Sequence, residues 1–159
     1  MRKRFLTSYL ALLLICAGAN ALAAKRPSAT EKTRKIKVYL VKVGDAGKSG
    51  KKIGCDDSLY AVTRTVKATA APLKAALEEL LSMSSEEGNY WKGENLKVEK
   101  AFIIHGAANI YITGNGPQVA GVCDEPRIKQ QIEATAKQFP NVKRVIVYVN
   151  GEPLGYVIR

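Results

Sequence analysis

The chain has 159 residues, 47% hydrophobic and 25% charged, with 25 Lys/Arg against 14 Asp/Glu, a formal net charge of +11, one His and three Cys. This is the composition of an ordinary globular chain with room for a single core, which excludes a disordered polymer. One His and few Cys also exclude a zinc-cluster protein, and a histidine-based acid/base enzyme would have to be built on His105 alone.

Arg2, Lys3 and Arg4 precede an apolar run from Phe5 to Ala17, followed by Asn20 and the small-residue pattern Ala21-Leu22-Ala23. That order predicts a secretory signal peptide over residues 1–23, cleaved after Ala23, since the apolar stretch is shorter than the ~20 residues a spanning helix needs. The expected chain is exported, periplasmic or extracellular, and meets a membrane only if the signal segment stays uncleaved. Cys16 falls in the discarded segment.

Residues 24–35 are rich in Lys, Ser and Thr, contain Pro27 and show no apolar period, so a flexible basic tail is expected ahead of one domain over residues 36–159. Removing residues 1–23 leaves 22 basic against 14 acidic side chains, with ten basic and two acidic ones between Ala24 and Gly54 and twelve of each thereafter. Export makes nucleic acid a poor partner for this excess. An anionic envelope polymer, touched through Lys35, Lys37, Lys48, Lys51 and Lys52, fits it better, against the plainer reading of a solvated, solubilising segment.

Ile36 to Val43 is rich in β-branched and aromatic residues and predicts the first strand; Gly44 to Gly54, with four glycines and three lysines, predicts a loop. Leu59 to Val66 is the second strand and carries Arg64. A helix follows to about Ser82, capped by Thr69 with Pro72 in its first turn, its apolar face formed by Leu73, Ala76, Leu77, Leu80 and Leu81. Residues 84–95 read as a loop that Tyr90 and Trp91 fold back on the core. Leu96 to Ile104 and Asn109 to Thr113 form a hairpin around His105. A second helix starts near Asp124, whose carboxylate is expected to cap it, buries Ile128, Ile132, Thr135 and Phe139, and stops at Phe139-Pro140-Asn141. Val142 to Val149 is so continuously apolar that a central strand covered on both faces is expected. Asn150-Gly151 then turns into a closing strand, Leu154 to Ile158. The order β-β-α-β-β-α-β-β predicts an α+β fold with two helices on one face of a mixed sheet.

Cys55 and Cys123 are the two cysteines left in the mature chain, an even count in an oxidising space, and a disulfide between them is expected. Closing that loop would stabilise the fold by about 4 kcal/mol in the chain-entropy picture. A catalytic thiol, or a metal site from Cys55, Cys123, His105 and Asp124, has no supporting spacing. Gly47-Lys48-Ser49 mimics the end of a phosphate loop, but Lys42 stands where its first glycine belongs and no helix follows. Gly114-x-Gly116 lacks the βαβ unit of a dinucleotide turn. His105 sits at a hairpin tip with no orienting partner, so a solvated turn histidine is expected.

Taken together, Gly54-Cys55-Asp56-Asp57-Ser58-Leu59, Val62 to Val66, Leu73 to Leu81 and Trp91 to Leu96 begin an ordered series of motifs. Gly121 to Ile128, Gln131-Ile132, Thr135, Gln138 to Val142 and Val147 to Gly151 complete it. From Ile36 to its end the chain resembles the GerMN domain of sporulation and spore germination proteins. The resemblance implies a compact α+β fold similar to ring-building modules, acting outside the cytoplasm, without catalysis and without cofactor. A non-catalytic binding or assembly module of the cell envelope is therefore expected, with a protein partner or a second copy as ligand. Its polar candidates are Arg64, Asp124, Arg127 and Gln131, placed near the second helix start. The plainer alternative is that Asp124 caps the helix while Arg127 pairs with a neighbouring acid to hold the loop at Cys123. A small hydrolase ranks last for want of a base.

Overall fold

Ile36, Val38 and Leu40 alternate with Lys35, Lys37 and Tyr39, and this period of two puts the first set in the core and the second on the outside. The strand they form, β1 (Thr33–Lys42), belongs to a computed structural model in which residues 32–83 and 86–157 are described; the predicted signal peptide and most of the predicted tail lie outside them. Strand β1 pairs antiparallel with β3 (Asp57–Lys67), which also pairs with the short β2 (Lys51–Ile53), so the first sheet runs β1-β3-β2. The tail expected over residues 24–35 gives up its last three residues to β1, because β3 continues to Lys67 and offers Thr33, Arg34 and Lys35 ladder partners. Likewise β2 occupies what was expected to be loop. Lys51 and Lys52 are exposed while Ile53 joins Val41 and Leu59 in a small apolar cluster, too short an alternation to stand out among glycines and lysines.

Helix α1 (Pro72–Ser82) buries Leu73, Ala76, Leu77, Leu80 and Leu81, the stripe its sequence predicts. Its N-cap is Ala71 rather than Thr69; the Thr69 hydroxyl accepts the Ala71 amide one turn too early to reach the helix. The hairpin of β4 (Lys97–Ile104) and β5 (Ala107–Thr113) turns on two residues only, His105 and Gly106, both at positive φ. Helix α2 (Asp124–Lys137) then carries the chain to β6 (Arg144–Val149), parallel to β5, and a second two-residue turn, Asn150-Gly151, leads into β7 (Glu152–Pro153). The second sheet runs β4-β5-β6-β7.

The α+β class and the two long helices are as expected, but the strands divide into two sheets instead of one. Helix α2 lies against the outer rim of β1, where a joining strand would have to be. Both helices and the inner faces of both sheets share one core, in which Trp91 is fully buried and donates its indole N–H to the Ile128 carbonyl at 3.0 Å. Two expectations at the chain end are corrected. The closing strand is only two residues long, because Pro153 has no N–H to continue a ladder; a single helical turn, α3 (Leu154–Val157), follows and buries Leu154. Strand β6 is covered on one face alone: Val147 and Val149 are buried, whereas Ile146 and Tyr148 lie on an outer face that the described residues leave open.

Candidate functional site

Cys55 lies in a 3-10 turn, Gly54–Asp56, between β2 and β3, and Cys123 immediately precedes α2. They are joined by a disulfide with Cα atoms 5.9 Å apart across a sequence separation of 68. Cys55 and Asp56 both have positive φ, an uncommon conformation for side chains of this kind, so the corner is held rather than relaxed. Beside the bridge, the fully buried carboxylate of Asp57 accepts the Arg127 Nε–H at 2.6 Å and the Gly44 amide at 2.9 Å. Arg127 also donates from Nη1 to Asp124 at 3.1 Å and lies 4.9 Å over the Tyr90 ring. Burial pushes the Asp57 carboxyl up, but the guanidinium and the Gly44 amide outweigh it and hold the pKa below the ordinary value. The hydrogen bond to Asp57 raises Arg127 in turn, and burial raises Tyr90.

Asp124 does not cap α2. Its Oδ2 accepts the amides of Ala120 and Gly121, so the carboxylate folds the preceding loop back while its other oxygen orients Arg127. The N-cap position belongs to Cys123, whose disulfide fixes the helix start covalently. Arg64 stands apart from this group on β3, reaching Glu79 and Glu86 at 3.7 and 3.8 Å from a partly exposed position, the geometry of a weak surface pair. Of the four residues expected near the helix start, Asp124 and Arg127 meet there, joined by Asp57 and Tyr90, whereas Arg64 lies elsewhere. Asp57 was within reach of sequence reasoning through the repeated Cys-Asp pattern, Cys55-Asp56-Asp57 and Cys123-Asp124.

Gln131 is fully buried and serves a different end. Its Oε1 accepts the Tyr90 amide at 2.8 Å, and its Nε2 donates to the carbonyls of Tyr39 and Gly88 at 3.1 and 3.0 Å. One and two turns further along α2, the Tyr39 amide donates to Thr135 Oγ1, and Gln138 both accepts the Lys37 amide and donates to the Lys37 carbonyl. The Val41 amide meets the Gly88 carbonyl at 2.9 Å. Lys37, Tyr39 and Val41 are the residues of β1 that point away from β3, so three side chains of one helix face stand in for the missing neighbour strand. Gln131→Ala strands the Tyr90 N–H and two carbonyls at once, and urea unfolding is expected to register a loss of about 2–4 kcal/mol.

Loop 44–50 is ordered from within. Asp45 accepts the Ser58 hydroxyl and the Ser49 amide, both at 2.6 Å, and the Ser58 hydroxyl accepts the Gly47 amide. The amides a phosphate would need at Gly47 and Ser49 are thus already taken, which disposes of the phosphate-loop likeness. The Ser58 hydroxyl, with the Ser49 groups and Lys42, holds Asp45 at about 2 although burial acts the other way. Lys48, Lys51 and Lys52 project outward from this platform, and Lys52 meets Asp56 at 2.7 Å. Tyr90 borders two open grooves of about 730 and 580 Å³; Lys42, Ser49 and Tyr60 line the first, Glu94, Asn115 and Asp124 the second. His105 is exposed at its turn, and among the described residues no three His, Cys, Asp or Glu side chains stand together as metal ligands. No described helix is long and apolar enough to cross a membrane.

No curated protein matches the chain. Among solved structures, the tandem GerMN domains of the sporulation protein GerM from Bacillus subtilis superpose with a TM-score of 0.54 at 21% identity, covering 86% of this chain and 43% of that one. This chain thus spans less than half of that structure. The first GerMN domain of the same protein gives a TM-score of 0.49 at 22% identity over 76% of this chain and 85% of that one. A crystal structure of a putative lipoprotein from Clostridium perfringens gives 0.47 at 14% over 79% and 81%. The family model Germane, described as sporulation and spore germination, matches residues 37–155, and the chain belongs to that family.

Proposed function

We propose that the protein is a non-catalytic binding and assembly module that works outside the cytoplasm. The observation that carries this reading is the structural use of the candidate polar residues: Arg127 is engaged by Asp57, Asp124 and the Tyr90 ring, and Gln131 spends both ends of its amide on backbone. Arg127, Asp57 and Asp124 thus hold the Cys55–Cys123 corner and Gln131 the rim of β1, so the candidate polar residues are committed to the fold. The disulfide is in keeping with export, because such a bond persists in an oxidising space and is rare in the cytosol. The test is to trap thiols with an alkylating agent in the cells that make the protein and to sequence its N-terminus. Alkylation-resistant cysteines in a chain starting at Ala24 support the reading; free thiols in a chain that keeps Met1 overturn it. A turnover activity that vanishes with Arg127→Ala in a folded variant would overturn the non-catalytic part.

A second reading rests on the ordered loop that displays Lys48, Lys51 and Lys52: an anionic polymer of the envelope would find there a fixed rather than a floppy cationic surface. Heparin serves as a generic polyanion probe. If this surface binds, retention falls steeply between about 50 and 500 mM salt, and neutralising the three lysines abolishes it; salt-insensitive retention would dismiss the idea.

A further inference from the structure

The two sheets treat their rims differently. The rim of β1 is sealed by Gln131, Thr135, Gln138 and Gly88. The rim of β4 is not. In the hairpin, Ile104 pairs with Ala107 across a two-residue turn, so Ile104, Phe102 and Lys100 exchange hydrogen bonds with β5. The far side of β5 confirms the phase, since the carbonyls of Gly106 and Ile112 face β6 and accept the amides of Arg144 and Asn150. Ala101 and Ile103 therefore turn their N–H and C=O groups outward, and among the described residues no hydrogen bond reaches them there. The first half of β4 is guarded by Lys97, Lys100 and a bulge between Val98 and Lys100. The second half, Ala101 to Ile104, has no such guard, and Phe102 and Ile104 are 40% and 52% exposed on the outer face. Phe102 also ends a row of stacked rings that crosses three strands, with centroids 6.0 Å from Phe102 to Tyr111 and 4.9 Å from Tyr111 to Tyr148.

We infer that this rim pairs with the same rim of a second copy, antiparallel, about a two-fold axis at Phe102. That register sets Ala101 against Ile103 of the other copy, so all four outward backbone groups on each side are used, in four hydrogen bonds. Phe102 faces its own counterpart as a directly opposed pair, with Cβ atoms about 5 Å apart, and the ring row runs on unbroken into the second sheet. The charges permit it: Lys100 falls opposite Ile104 rather than another lysine, and Glu99 lies toward His105, so no like charges are opposed. An acidic peptide has less to recommend it, because Glu99 stands among the rim lysines.

This pairing deepens the assembly reading above by naming its surface. The contact is small for a stable interface, so a dissociation constant of about 10–300 μM is expected. Sedimentation equilibrium of the purified protein from about 10 μM to 1 mM tests it. The wild-type mass should climb toward twice the monomer. Phe102→Lys and Phe102→Glu, at an exposed position that leaves the core intact, should each weaken association at least tenfold, and an equimolar mixture of the two should associate again. A wild type that stays monomeric overturns the pairing and leaves the rim to a strand from another protein. Association untouched by Phe102→Lys, or a mixture that stays apart, overturns the two-fold axis. Thiol trapping can fail while the masses double, and the reverse, so the two readings fall separately.

Discussion

Replacing Cys55 and Cys123 together by Ala is expected to lower stability by about 4 kcal/mol, read as a lower urea midpoint with a steeper slope, because the unfolded chain expands. The magnitude follows from the 68-residue separation the bridge closes: without it the unfolded chain regains the freedom of that loop. The folded state loses less, because Arg127 to Asp57 and the packing of Pro126 beside Gly54 still connect the same two elements. The loss should therefore appear mainly as a change in the reference ensemble, and adding a reductant to the wild type should reproduce it. A variant within about 1 kcal/mol of wild type would show that the bridge is idle and that the ion pair alone holds the corner.

Asp57→Ala is the other large effect, about 3–5 kcal/mol, because it leaves the Arg127 guanidinium 12% exposed with its closest counter-charge gone. The same pair makes the protein acid-sensitive. Asp57 has a folded pKa below its unfolded value, so its contribution is complete above about pH 5 and is lost as pH falls through the unfolded value near 3.9 and on through the folded one. Asp45, at about 2, acts with the same sign over the same descent. Unfolding curves at pH 7, 4 and 3 should converge for wild type and Asp57→Ala, the gap closing from the neutral side. A gap that stays constant with pH would mean that the carboxylate's charge is not what Ala removes. Combined with the loss of the disulfide, the two costs should not add, since both changes loosen one corner.

The parts of this protein that depend on period were legible in its sequence. The apolar spacing of Leu73 to Leu81 and of Ile128 and Ile132 marks the buried helix faces, and Asn150-Gly151 the last tight turn. The Cys55–Cys123 pairing was legible from parity and the expected export. What stayed hidden depends on which long-range group a polar atom meets. Thr69 and Asp124 have cap-like side chains, but each spends its oxygen on other amides. Arg64 has the chemistry of Arg127 without its buried acid. Gln131 has the composition of a surface residue and is buried because its amide matches the spacing of three backbone groups. The apolar run of β6 promised a second covering layer, and the described chain supplies none.

The seal that α2 lays along β1 also limits how far association can go. A subunit that offers a single open rim stops at a pair, because the act of pairing consumes it. A subunit with two such borders becomes a link in a chain with no natural end. Gln131, Thr135 and Gln138 thus do more than steady a helix: by blocking the β1 border with side chains, they would keep the proposed pair from growing on through that side.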